Sequence, residues 1–68
     1  MAPRFLSIAD VAEQLSISAQ AVRSLIRTGE LPAIQVGARG LWRIEVAALE
    51  DYIDKQYAHT REAVSEGG

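Results

Sequence analysis

The segment from Ser18 to Gly29 limits what this chain can fold into more tightly than any other stretch. Ala21, Val22, Leu25 and Ile26 fall at the spacing of one helix face, and Gln20, Arg23, Ser24 and Arg27 fall on the opposite one. Ser18 suits an N-cap, because its hydroxyl accepts a hydrogen bond from an otherwise unpaired N–H in the first turn. Gly29 suits the stop, since it enters the left-handed conformation with no Cβ to clash. The pattern predicts a helix over about residues 19–28. So short a helix is marginal by itself. Its apolar face therefore needs cover from the rest of the chain, while its Gln/Arg/Ser/Arg row stays in water.

The cover comes from both sides in sequence. Ser7 and Asp10 have the spacing of a capping box, with Asp in place of Glu or Gln. Ile8, Val11, Ala12 and Leu15 then mark one face of a first helix over about residues 8–15, with Phe5 or Leu6 placed to pack back on it. Ser16-Ile17-Ser18 ends that helix, because two short hydroxyl side chains compete for backbone hydrogen bonds and favour a turn. Ile17 between them is expected to plug into the core. After Gly29, Leu31-Pro32 breaks any helical continuation. Ala33-Ile34-Gln35-Val36 and Trp42-Arg43-Ile44 alternate at period two, and Gly37-Ala38-Arg39-Gly40-Leu41 supplies glycines for a reversal between them. A two-stranded hairpin over residues 33–44 is expected, resting on the helices because an isolated hairpin is marginal.

From Glu45 the pattern is helical again, with Val46, Leu49 and Ile53 inward, Glu50, Asp51 and Asp54 outward, and Tyr52 and Tyr57 flanking the inner face. Acidic Glu45 suits the positive end of that helix dipole. From His59 the apolar density fades, so residues 59–68 read as a flexible C-terminal tail behind a domain over residues 1–58.

Sixty-eight residues allow one small domain with a compact core. The absence of cysteine leaves neither a disulfide nor a thiolate metal site and fits a reducing compartment. No apolar run approaches the length of a membrane span, and Met1-Ala2-Pro3-Arg4 opens no secretory signal. The expected setting is cytoplasmic. The net charge of −2 conceals an asymmetry. Residues 1–43 carry five arginines against three carboxylates, a balance of +2; residues 44–68 carry two basic groups against six acidic ones, a balance of −4. A ligand meets the local field rather than the sum.

Helix, three-residue turn, helix, hairpin, helix is the order of a winged helix-turn-helix, a mainly α fold with a small β-hairpin. Gln and Arg are side chains that make paired hydrogen bonds to base edges in a DNA major groove. The detailed pattern comprises Ser-Ile-Ala-Asp-Val-Ala-Glu-Gln-Leu-Ser-Ile-Ser at 7–18, Val22 to Ile26, and Gly-Glu-Leu-Pro-Ala at 29–33. It continues through Val36-Gly37, Trp42-Arg43-Ile44 and Leu49-Glu50-Asp51-Tyr52. In that order and spacing, over roughly residues 6–57, it resembles the small DNA-binding domains of the excisionase and MerR-like group, including stand-alone actinobacterial developmental regulators.

The resemblance implies a double-stranded DNA-binding protein, acting as a transcriptional regulator or an excisionase-like architectural factor. Residues 19–28 would be its recognition helix, with Gln20, Arg23 and Ser24 facing base edges and Ser18 and Arg27 meeting phosphates at the two ends. Arg39 and Arg43 would lie on the wing, touching backbone or entering a minor groove. The chain departs from the family in a longer segment between Val36 and Trp42, in Leu41 at an expected basic position, and in Glu45 where relatives carry basic residues. Leu41 and Glu45 thin the positive charge of the wing. Relatives resembling excisionases bind as adjacent, cooperating copies on repeated sites, and the same is expected here, with a two-fold dimer as the alternative. Neither a small-molecule effector nor a long heptad segment is evident.

Each residue also has an ordinary structural reading. Arg23 and Arg27 are placed to pair with Glu13 or Glu30 in surface salt bridges. Gln20 divides evenly between bases and solvent, and Arg39 at a loop tip has few intramolecular partners. Trp42 on a hairpin is expected to pack over the core rather than on a sugar–phosphate edge. His59, the only histidine, falls in the fading tail. With no cysteine, no structured histidine, no phosphate-cradling glycine loop and no ligand cluster, neither catalysis nor a cofactor nor a metal is expected. The competing function is a protein-interaction module that keeps the winged fold without binding DNA, suggested by the acidic last helix.

Overall fold

The computed structural model describes residues 4–67, with side chains through residue 64. The elements run β1 (Phe5–Leu6), α1 (Ile8–Leu15), α2 (Ala19–Arg27), β2 (Ile34–Val36), β3 (Leu41–Glu45) and α3 (Val46–Gly67). This is a winged helix-turn-helix. The capping box at Ser7 forms as the spacing requires: the Ser7 hydroxyl accepts from the Asp10 N–H at 3.1 Å, and the Asp10 carboxylate accepts from the Ser7 N–H at 3.1 Å. The bond from the Ser7 N–H stabilises the ionised carboxylate most and the nearby Ser7 hydroxyl adds to it, so the Asp10 pKa lies below its ordinary value, with a smaller lowering from the Arg43 charge. Ser16, at φ 56°, turns the chain out of α1, and Ser18 caps α2 by accepting from the Ala21 N–H at 3.1 Å.

Leu6, Val11, Val22, Leu31, Ile44 and Leu49 form the buried core. Each comes from a different segment: β1, α1, α2, the connection after α2, β3 and α3. Leu31 is placed by the α2 stop: Gly29 takes φ 82°, its N–H donates to the Ile26 carbonyl, and the Leu31 N–H reaches back to the Leu25 carbonyl at 3.1 Å. That backward bond delivers a fully buried leucine under α2 immediately ahead of Pro32.

Three expectations are corrected. Phe5 and Leu6 form a strand rather than a simple staple, pairing antiparallel with β3 (Phe5 with Glu45, Leu6 with Ile44) in a sheet of order β1-β3-β2. Two residues between a terminus and a helix cap are too few to show a strand's alternation, so only the pairing reveals it. Ile17 is 37% exposed rather than plugged into the core, because the left-handed Ser16 carries the turn outward while the Ile17 N–H still bonds the Ala12 carbonyl. The tail expected over 59–68 is helical through Gly67. Ala58, Arg61, Glu62 and Ala63 are good helix formers with no Pro or internal Gly among them, so the helix propagates by propensity although every side chain from His59 to Val64 is exposed.

Candidate nucleic-acid interface

Helix α2 is held by its apolar face. Val22 is fully buried, and Leu25 and Ile26 pack against the core. The opposite face carries Gln20, Arg23, Ser24 and Arg27, all exposed. Among the described residues, the ion pairs are Arg4 with Glu45 and Lys55 with Asp51. Neither Arg23 nor Arg27 pairs with Glu13 or Glu30; Glu30 instead accepts from the Thr28 hydroxyl at 3.3 Å. Two guanidiniums on adjacent turns thus present their donors outward. Ser18 begins the same face, and its cap bond leaves the hydroxyl proton available to a ligand.

The sheet sets what α2 faces. Cross-strand pairs Ile34–Arg43, Val36–Leu41 and Phe5–Glu45 share one face, and Leu6–Ile44 and Gln35–Trp42 share the other. The second face meets the core at Leu6 and Ile44. Further along, it puts Trp42 beside α2, where Arg23, Ile26, Arg27 and Trp42 line an open concavity of about 360 Å³. Trp42 is half-buried but stands outside the buried core. Its indole walls the gap between helix and hairpin, a departure from the core packing expected of it. Alternation along β3 makes the difference: Ile44, two residues on, has the core-facing place on the same side of the sheet.

Arg43 goes the other way. It lies on the outer face near Phe5, Ile34 and Glu45, and its guanidinium donates to the Trp42 carbonyl at 2.7 Å. The fold therefore brings Gln20, Arg23, Ser24 and Arg27 together with Trp42, and separates Arg43 from them by the thickness of the sheet. Arg39 is exposed in the turn between β2 and β3. That turn is closed by the Gly40 N–H to the Gly37 carbonyl at 3.1 Å and by the Gln35 amide to the Gly40 carbonyl at 3.3 Å. Gly40 has φ 63°, and a Cβ there would lie 3.3 Å from the Gln35 amide nitrogen. Gln35 thus braces the turn that carries Arg39. The sequence signal for both Trp42 and Gln35 was available: they sit opposite each other in a period-two pattern, on the face that must turn toward the helices.

The chain matches the family described as "Helix-turn-helix domain" over residues 5–57, a span that includes every strand and helix placed here except the outer part of α3. It is also 33% identical over 54 residues to two Mycobacterium tuberculosis proteins, from strains CDC 1551 / Oshkosh and ATCC 25618 / H37Rv, each bearing the name "Putative DNA-binding protein". The similarity covers 79% of this chain and 67% of each relative.

Proposed function

Because the chain belongs to the helix-turn-helix domain family, we propose that it binds double-stranded DNA with α2 in the major groove and the β2–β3 hairpin as a wing, serving as a transcriptional regulator or an excisionase-like architectural factor. The observation that carries this proposal is the exposed row Gln20, Arg23, Ser24 and Arg27, whose two guanidiniums have no ion-pair partner among the described residues. Gln20 and Arg23 read base edges, with Ser24 beside them. Ser18 and Arg27, at the two ends of α2, hold phosphates. A backbone strand then passes through the concavity between α2 and the wing, with the Trp42 indole against its sugars. Arg39 reaches the flanking backbone or minor groove from the wing tip, and Arg43 lends positive charge to the outer wing face.

The names of the two mycobacterial relatives support DNA as the partner. One α2 helix reads only a few base pairs, so useful selectivity requires neighbouring copies on the same duplex. The test is selection from a pool of random duplexes, followed by affinity measurements at stepped salt. Enrichment of a defined sequence is expected, with log affinity falling by about 0.9 per log salt for each phosphate neutralised. Failure to retain any duplex at low salt refutes the proposal.

A further inference from the structure

We propose, resting on the DNA reading above, that Gln35 is a positioning residue for the wing. Its amide locks the turn that carries Arg39 and so fixes where that guanidinium meets DNA, while Gln35 itself touches no nucleotide. The turn is Gly37-Ala38-Arg39-Gly40, in which only Arg39 has a side chain longer than a methyl group. Ala38 and Arg39 are both exposed, so no core contact holds them. The backbone of the turn supplies one closing bond, from the Gly40 N–H to the Gly37 carbonyl at 3.1 Å. A tip half made of glycine is soft, because glycine has more conformations to lose than any other residue. The second tie comes from outside the turn, where the Gln35 amide donates to the Gly40 carbonyl at 3.3 Å.

The register explains why this side chain can reach. Val36 pairs with Leu41 as the last rung before the turn, and Gln35 pairs with Trp42 one rung back. From there a glutamine is long enough to reach forward past one rung to the final residue of the turn. Gly40 takes φ 63°, and a Cβ on it would stand 3.3 Å from the Gln35 amide nitrogen. A side chain at position 40 would therefore crowd the amide that closes the lock. Arg39 is bonded directly to the locked residue, so holding Gly40 narrows the directions open to the Arg39 side chain. Among the described residues Arg39 has no ion-pair partner to orient it, which leaves the backbone beneath it as its support.

Ordering a loop and a long side chain at an interface costs affinity when it happens on binding. A tip that is already closed avoids part of that cost. Because Arg39 meets backbone or minor groove rather than a base edge in the major groove, the benefit falls on all sequences alike. The lock therefore sets affinity, and α2 sets preference.

The test is a double-variant cycle on the full chain, read by fluorescence anisotropy on the selected duplex and a scrambled one at stepped salt. Gln35→Met keeps the length and neutrality of the side chain and removes its amide. It should weaken both duplexes alike, about two- to tenfold, with the preference between them unchanged. Arg39→Ala should also weaken both and lower the log–log salt slope by about 0.9. With Arg39 gone the lock has nothing to position, so the double variant should bind within about twofold of Arg39→Ala alone. Trp42, the only tryptophan, stands opposite Gln35, and its fluorescence emission should match the parent's in Gln35→Met. Gln35→Met with parental affinity, where Arg39→Ala binds weakly, overturns the proposal, because Arg39 then stands without the lock. Losses that add in the double variant overturn it as well, since Gln35 then acts apart from Arg39. A shifted Trp42 emission assigns the loss to the whole hairpin and likewise overturns it. Arg39→Ala with parental affinity puts the wing tip away from DNA, which overturns the proposal and leaves α2 as the reader. A parent chain that retains no duplex is the distinct failure of the DNA reading itself, and the proposal falls with it.

Discussion

Replacing Arg23 and Arg27 one at a time by alanine separates sequence reading from backbone holding. Both side chains are exposed and neither makes an ion pair or a side-chain hydrogen bond among the described residues, so neither truncation breaks a polar contact within the fold. Alanine is at least as good a helix former as arginine, and for a domain this small about 1 kcal/mol of stability corresponds to roughly 4–8 °C in melting temperature. Both variants should therefore melt within about 2 °C of the parent. Binding should change in two distinct ways. Losing a bidentate base contact costs about 1–3 kcal/mol, so Arg23→Ala should weaken the selected duplex roughly 5- to 150-fold. A scrambled duplex of equal length should be affected little, and the preference between the two collapses. Arg27→Ala should weaken both duplexes alike and reduce the log–log salt slope by about 0.9, the loss of one phosphate contact. Fluorescence anisotropy on the two duplexes at stepped salt, with thermal melts followed by circular dichroism, provides both readouts. An Arg23→Ala protein that keeps the parental preference refutes the assignment of that residue to base edges. A melting temperature lowered by more than about 5 °C in either variant refutes the premise that the guanidinium serves no partner within the fold.

Leu31→Ala removes a fully buried side chain that joins α2 to the hairpin; a loss of about 2–5 kcal/mol is expected in urea unfolding, a large part of the whole for a domain of this size. Because the Asp10 pKa is lowered in the fold, its contribution is fully present above the ordinary carboxylate pKa and is lost as pH falls through the folded value. Asp10→Asn should flatten that acid limb of the stability profile, and an unchanged limb means the capping box does not hold the carboxylate. Backbone amides from His59 to Val64 should exchange near the rate of an unprotected helix end, while those around Val11 and Val22 exchange with global unfolding. Equal protection in the two regions, measured on dilute protein, contradicts a domain bounded near residue 58.

Most of the helical framework was legible from local chemistry. The Ser7–Asp10 box, the Ser18 cap and the Gly29 stop act within a few residues of themselves, so residue type and spacing suffice to locate α1 and α2. The exposed polar row of α2 follows from the same period. The hairpin was legible in outline from its alternation and its glycines. Strand β1 was not, because two residues carry no period of their own; it exists through pairing with a partner some forty positions away. The helical state of 59–67 was concealed because apolar density reports packing, whereas an exposed helix needs only good helix formers and no breaker.

The chain by itself determined two capped helices, the turn between them, and which side of α2 stays in water, since those are decisions of backbone hydrogen bonding and helical period. Only the tertiary structure decided what that wet side confronts. Strand pairing sorted the β3 residues between two faces, putting Trp42 beside Arg23 and Arg27 and sending Arg43 to the far side of the sheet. Residues adjacent in sequence point to opposite faces of a strand, and which face meets the helices depends on where the core residues Leu6 and Ile44 are buried.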